Sequence, residues 1–310
     1  MASPQHLKLC FSTLACPDWS WADILRYGPE FGYDGVEIRL LERETELLSR
    51  PEFQPDQLAQ RRAELAAAQF SVAGLGSSVR FDYLDADVRA QQLEIGRCYI
   101  DLAHQLHSQF IRVFGDVFTA GQDAPGREQV LAQVVEGLTA LGQYAEPRGV
   151  LVLMETHGDF AATQWMQTVM ERVDHPAVGV LWDTHHPWRF YNEALAETFN
   201  RLRPWIRHTH WKDSVAQPVA TIAIDTAAAA QAHALMSGHK PAHYVLFGTG
   251  EFPAAETLRL LNLAGYDGWY SLEWELAWHP ELEQPLVALP DFPRKLIALS
   301  AAVRAGIAGR

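Results

Sequence analysis

The chain has 310 residues, 48% of them apolar and 20% charged, with a formal net charge of −13 at pH 7. That is enough apolar material for one large buried core or two smaller ones. The acidic balance and the lack of any Lys/Arg cluster argue against a nucleic-acid partner, because neutralising phosphates takes a basic footprint.

No apolar run reaches the ~18 residues that would span a bilayer, so no membrane partner is expected. The N-terminal Met-Ala-Ser-Pro-Gln-His has no basic region leading into a signal-type apolar stretch, which predicts a cytoplasmic protein. Cys10, Cys16 and Cys98 stand at unrelated spacings. They are expected to be free thiols, with Cys16, in a loop, the one placed for exposure.

Strands and helices alternate along the chain. Leu7–Phe11 is a short apolar run, and Ser20 caps a helix with apolar spacing at Trp21, Ile24 and Leu25. Gly32 ends that helix, and Tyr33–Ile38 forms a turn and the second strand. Residues 56–69 form a helix with Asp56 as N-cap, followed by a third strand over Phe70–Gly76. A long amphipathic helix covers 87–107, and Phe110–Gly115 is the fourth strand. A helix over 127–145 leads through Gly149 into the fifth strand, Leu151-Val-Leu-Met-Glu155. Residues 162–172 are helical, 178–182 a strand, Trp188–Asn200 helical and 206–210 a strand.

The stretch 214–245 is irregular, with an alanine-rich piece at Ala227–Ala230 and the loop Ser237–His243. It exceeds an ordinary connection, which makes it either a lid or a subunit contact in a homo-oligomer. A helix at Pro253–Leu263, an eighth strand from Trp269 and a last helix over 290–306 complete the chain. Eight strands alternating with helices predict a single-domain (β/α)8 TIM barrel, an α/β fold, over 1–310. An open doubly wound sheet is the alternative, disfavoured because no GxGxxG follows the first strand.

Chemistry gathers where the strands end. Glu155 follows four apolar residues, Asp183 closes the sixth strand, His210 the seventh, and Glu273 the eighth. Glu37, Glu275, His157, His185, His186 and His208 stand at the same kind of position. In a barrel these ends share one mouth, where unpaired carboxylates are costly and repel one another. A divalent cation would relieve that repulsion. Three carboxylates with one imidazole suit manganese, magnesium or cobalt better than a thiolate-preferring zinc site, although zinc would also fit. Taken singly, a strand-end glutamate is an ordinary ion-pair partner. His208 and His210 point to one face of their strand, with His210 nearer the mouth and His208 deeper. Lys212 has two readings, a substrate contact or a partner for Asp213. Trp182, Trp211, Trp274 and Phe114 fit either a wall against sugar C–H faces or plain packing.

The segments Gly32-Tyr-Asp-Gly-Val-Glu-Ile38, Arg112-Val-Phe-Gly115, Met154-Glu-Thr-His-Gly158, Trp182-Asp-Thr-His-His186, His208-Thr-His-Trp-Lys-Asp213, Phe247-Gly-Thr-Gly-Glu-Phe252 and Gly265–Glu275 are similar to the xylose isomerase-like superfamily of sugar isomerases and epimerases. The resemblance spans about residues 7–275. It implies one divalent metal held by Glu155, Asp183, His210 and Glu273. It further implies that Glu155 and Glu273 act as acid and base on opposite faces of a metal-bound enediolate. His186 matches the family's substrate-oxygen-binding histidine, and His157, Lys212 and Glu37 join it on the substrate side, Glu37 also fitting a purely orienting role.

Two departures stand out. The histidines that endonuclease IV carries after strands three and four are missing, which leaves no nucleic-acid role. The glutamate that ketose epimerases carry soon after strand five is also missing; Asp159 is the nearby acid. The expected function is therefore a metal-dependent isomerase or epimerase acting on a small sugar or polyol in carbohydrate metabolism. An inosose dehydratase-like lyase is the alternative, and a non-catalytic sugar-binding barrel is the alternative of another class.

Overall fold

The computed structural model describes residues 6–216, 238, 240 and 242–308. Its centre is a closed barrel of eight parallel strands, β1 (Lys8–Ser12), β2 (Gly35–Ile38), β3 (Ser71–Arg80), β4 (Phe110–Phe114), β5 (Leu151–Glu155), β6 (Val178–Asp183), β7 (Ile206–Trp211) and β10 (Trp269–Leu272), ordered β1-β10-β7-β6-β5-β4-β3-β2. Two further strands, β8 (Asp213–Val215) and β9 (His243–Val245), pair outside it. The barrel strands are almost wholly buried, as parallel strands covered by crossover helices must be. The expected (β/α)8 fold is the one observed.

The helices are α1 (Trp21–Glu30), α2 (Leu58–Ala67), α3 (Ala86–Leu106), α4 (Ala124–Ala145), α5 (Thr163–Val173), α6 (His186–Tyr191), α7 (Leu195–Leu202), α8 (Ala254–Leu263) and α9 (Pro285–Ala308). Ser20 and Asp23 form a reciprocal capping box on α1, and Asp85 and Asp123 cap α3 and α4. No helix among the described residues is long and apolar enough to cross a membrane.

Several expectations are corrected. Asp56 does not cap α2: the helix starts at Leu58 without a side-chain cap, and the Asp56 carboxylate accepts from the Gln57 amide instead. β3 runs on to Arg80 after a register shift beyond Gly76, with the Ser77 hydroxyl donating to the Arg112 carbonyl. The helix expected over 188–200 is two helices, because Asn192 takes a left-handed conformation at φ 53° and ends α6. α9 starts at Pro285 and carries Pro290 and Pro293 within it. The burial of Ala288, Leu289, Phe292 and Leu296 keeps that helix packed despite the missing N–H groups. Cys16 is buried, as Cys10 is, and Cys98 of α3 is the exposed thiol. Residues 217–237, with Ala227–Ala230 among them, and positions 239 and 241 of the loop Ser237–His243 lie outside the described residues, and with them the choice between lid and subunit contact.

By contacts the chain divides into two compact units. The first contains β1, β2, β10 and the C-terminal part of β7, with α1, α2, α8 and α9. The second contains β4, β5, β6 and most of β3, with α3 to α7.

Candidate active site

In the first unit, parallel register sets the inward-facing residues. β1 aligns Ser12 with Glu37, and β10 aligns Trp269 with His208 and Ser271 with His210. The two-residue period of a strand turns both histidines to one face. Their Nε2 atoms lie 3.1 Å (His208) and 2.8 Å (His210) from the same oxygen, Oε2 of Glu37, to which the Ser271 hydroxyl also donates at 3.2 Å. Burial alone would lift the Glu37 pKa, but the charge and hydrogen bonds of His210 and His208 hold it well below the usual carboxylate range.

The second ring nitrogen of His210, Nδ1, lies 3.2 Å from Oε2 of Glu273, the residue just past β10. The Lys212 ammonium is 2.5 Å from that oxygen and 2.6 Å from Oε1 of Glu275. Burial raises the Glu273 pKa, while His210 and Lys212 together bring it well below normal. The pairing of Lys212 with Asp213 is therefore replaced by pairing with two glutamates. The reason lies in the segment Phe247-Gly-Thr-Gly-Glu-Phe252. Its backbone N–H groups at Gly248, Gly250 and Phe252 all donate to the Asp213 carboxylate, at 2.9, 2.9 and 3.0 Å, and Ser214 N–H adds a fourth bond at 2.8 Å. Gly250 is required because a Cβ there would collide with Asp213 Oδ1.

In the second unit, Arg112 of β4 donates to Oε2 of Glu155 at 2.8 Å, with both side chains buried. The guanidinium also stacks 3.9 Å over the Phe114 ring. Asp183 ends β6, and its Oδ1 accepts from the backbone N–H groups of His185 and His186, at 2.9 and 2.8 Å, turning the chain into α6. A ligand oxygen of Asp183 and one of Glu155 lie within 4.8 Å of each other. His186 Nδ1 bonds the Thr156 carbonyl at 3.0 Å, which leaves Nε2 facing Asp183 at 3.6 Å. His157 Nδ1 bonds Oδ1 of Asp116 at 2.9 Å, and its ring packs 4.6 Å from Phe114 and 5.5 Å from His186. Burial lowers the His157 pKa, but the Asp116 carboxylate outweighs it and leaves the ring raised.

Each unit thus gathers its own share of the expected residues: Glu37, His210, Lys212 and Glu273 in one, Glu155, His157, Asp183 and His186 in the other. Two buried triplets have donors close enough to hold a metal ion, Glu37 with His208 and His210, and Asp183 with His185 and His186. Trp182, Trp211 and Trp274 are core: Trp182 meets Phe199, Trp211 meets Phe247, Phe252 and Tyr270, and Trp274 donates to the Glu283 carbonyl. Sequence reasoning missed Arg112, Asp116 and Ser271 as site partners. The arginine inside Phe-Ile-Arg-Val-Phe was the available signal, since a cation in a buried strand needs a carboxylate.

The chain resembles known proteins in both sequence and fold. A 3-dehydroshikimate dehydratase of Bacillus anthracis is 25% identical over 199 residues, 63% of this chain and 66% of that protein. The chain spans less than two thirds of the length of the curated relatives it matches. Among solved structures, an L-ribulose 3-epimerase superposes with a TM-score of 0.73 at 12% identity, covering 97% of each chain. An IOLI protein with a binding zinc atom gives 0.73 at 17% identity, covering 96% of this chain and 99% of that one. A family model described as "Xylose isomerase-like TIM barrel" matches residues 25–294, and the chain belongs to that family.

Proposed function

We propose that the protein is a divalent-metal-dependent isomerase or epimerase of a sugar or sugar-like polyol, in which Glu155 and Glu273 remove and return a proton at the carbon beside a carbonyl. The observation that carries this reading is the placement of buried carboxylates at the C-terminal ends of parallel strands of one closed barrel, each held by a cation or by backbone N–H groups of its own unit. In barrels of this type that end is where chemistry is done.

We assign the metal to Glu155, Asp183, His210 and Glu273, a buried set of three carboxylates and one imidazole. The donor chemistry fits a hard or borderline divalent ion such as manganese, magnesium or cobalt, with zinc admissible. The arrangement of His210 also fits. With Nε2 committed to Glu37, its Nδ1 is the donor turned toward Glu273, the usual way an outer carboxylate orients a ligating imidazole. When bound, such an ion would acidify the C–H next to a carbonyl and neutralise charge building on the adjoining oxygens.

The chain's own residues supply the rest. Glu155, fixed by Arg112, and Glu273, fixed by Lys212, are the two carboxylates for proton transfer. His186, anchored through Nδ1, and His157 would hold substrate oxygens through their Nε2 atoms.

The test is proton exchange. Ketoses, aldoses and inososes incubated in D2O with metal-loaded protein should gain deuterium at the carbon beside the carbonyl. Glu155→Gln and Glu273→Gln should each lower that exchange by at least ~100-fold. Absence of exchange with every such substrate would overturn the reading. A second reading, a dehydratase, is favoured by the Lys212 ammonium at Glu273 and Glu275, a proton source for a departing hydroxyl. It predicts loss of water by mass spectrometry without an isomerised product.

A further inference from the structure

Asp116 lies outside the proposed metal set, yet both its main chain and its side chain are committed to neighbours in the second unit. It adopts a left-handed backbone at φ 60°, a conformation that non-glycine residues take at a cost. Its carbonyl accepts from Asp159 N–H at 2.7 Å. Gly158, at φ 57°, presses on the same carbonyl so closely that a Cβ there would collide with it. The turn His157-Gly158-Asp159 is therefore clamped to Asp116 through the main chain. The side chain is equally committed. Oδ1 meets His157 Nδ1 at 2.9 Å, and Oδ2 pairs with the Arg80 guanidinium. Arg80 is held in turn 3.4 Å from Asp82 Oδ1 and 4.6 Å over the Tyr83 ring. Asp116, Asp82 and His157 are all buried.

We propose that Asp116 is a positioning residue: with Oδ2 taken by Arg80, its Oδ1 fixes His157 as the Nδ1–H tautomer and presents Nε2 to a hydroxyl oxygen of the substrate. The substrate half of this statement rests on the function proposed above. A neutral ring so fixed offers an acceptor at Nε2, which suits a polyol O–H. Arginine is a donor with no acceptor, so it must meet an oxygen. An asparagine at 116 has only one oxygen. Arg80 claims it, and the amide NH2 then faces Nδ1. The ring is forced to accept there and to carry its proton on Nε2. A residue that merely filled space would cause no such switch.

The experiment uses the full chain labelled with 15N-histidine, with long-range 1H–15N correlation spectra recorded at a pH where the His157 ring is neutral. His157→Gln assigns the signals. The wild type is expected to show a protonated Nδ1 at His157, and Asp116→Asn a protonated Nε2. A wild-type ring protonated at Nε2, or an even mixture of tautomers, would overturn the proposal, and so would an Asp116→Asn ring that keeps Nδ1–H. Should Asp116→Asn fail to fold, the wild-type spectrum still decides the tautomer. Arg80→Met should retain Nδ1–H, since Asp116 keeps both oxygens, and loss of Nδ1–H there would also count against it. The measurement needs neither substrate nor metal. Failure of the isomerase reading would show instead as absent deuterium exchange with the tautomer unchanged.

Discussion

His210 gives Nε2 to Glu37 at 2.8 Å and turns Nδ1 toward Glu273. Glu37 is thus the group that decides which nitrogen of His210 faces the proposed metal. Outer carboxylates of this kind typically contribute about 10–100-fold to metal affinity. Glu37→Gln is expected to weaken Mn²⁺ binding by that factor, read by calorimetric titration of metal-stripped protein. Unchanged affinity would remove Glu37 from that role.

Arg112 and Glu155 form a buried ion pair at 2.8 Å. Removing one partner strands the other charge away from water, which costs about 3–5 kcal/mol. Arg112→Met should destabilise the metal-free protein by that amount in urea unfolding. Arg112→Met combined with Glu155→Gln should recover most of the loss, because the stranded charge is gone. Equal stability of the single and double variants would contradict this account.

The Asp213 clasp predicts a local effect. Asp213→Ala leaves the N–H groups of Gly248, Gly250 and Phe252 without their acceptor, at about 1–3 kcal/mol for each group that stays buried. Hydrogen exchange at these amides should speed up well before global unfolding does. Gly250→Ala should produce the same signature through its clash with Asp213 Oδ1. Protection that survives both changes would show that the loop is held by something else.

Asp82 makes stability depend on pH. Burial, with a further push from Asp116, raises its pKa to about 6 against the pull of Arg80. The folded pKa lies above the unfolded value of 3.8. The native state therefore binds the extra proton between those values, and stability falls as pH rises from about 4 to about 6 before levelling off. The full change is at most about 3 kcal/mol, at ~1.4 kcal/mol per pKa unit. Asp82→Asn should abolish that slope and be the more stable form at neutral pH. An identical pH–melting profile for the variant and the wild type would refute the assignment.

Much of the architecture was legible because it rests on local pattern. Val-Gly-Val-Leu-Trp-Asp183 and Leu-Val-Leu-Met-Glu155 announce buried strands ending in acids, since the apolar run must be enclosed while the carboxylate must reach a polar partner at its end. Asn192 and the prolines of α9 misled for the opposite reason: backbone conformation there is set by packing on neighbouring elements, which periodicity does not carry.

For the site, the sequence by itself determined which residue types stand at the strand ends, and hence the donor set proposed for the metal, Glu155, Asp183, His210 and Glu273. The partners were decided by tertiary structure alone. Lys212 belongs to Glu273 and Glu275 rather than to its neighbour Asp213, because loop N–H groups from 248–252 occupy that aspartate. Arg112 meets Glu155 43 positions later, and Glu37 meets His210 across 173. Such pairings depend on strand register and barrel order, and a buried charge takes whichever opposite charge the fold brings within hydrogen-bond reach.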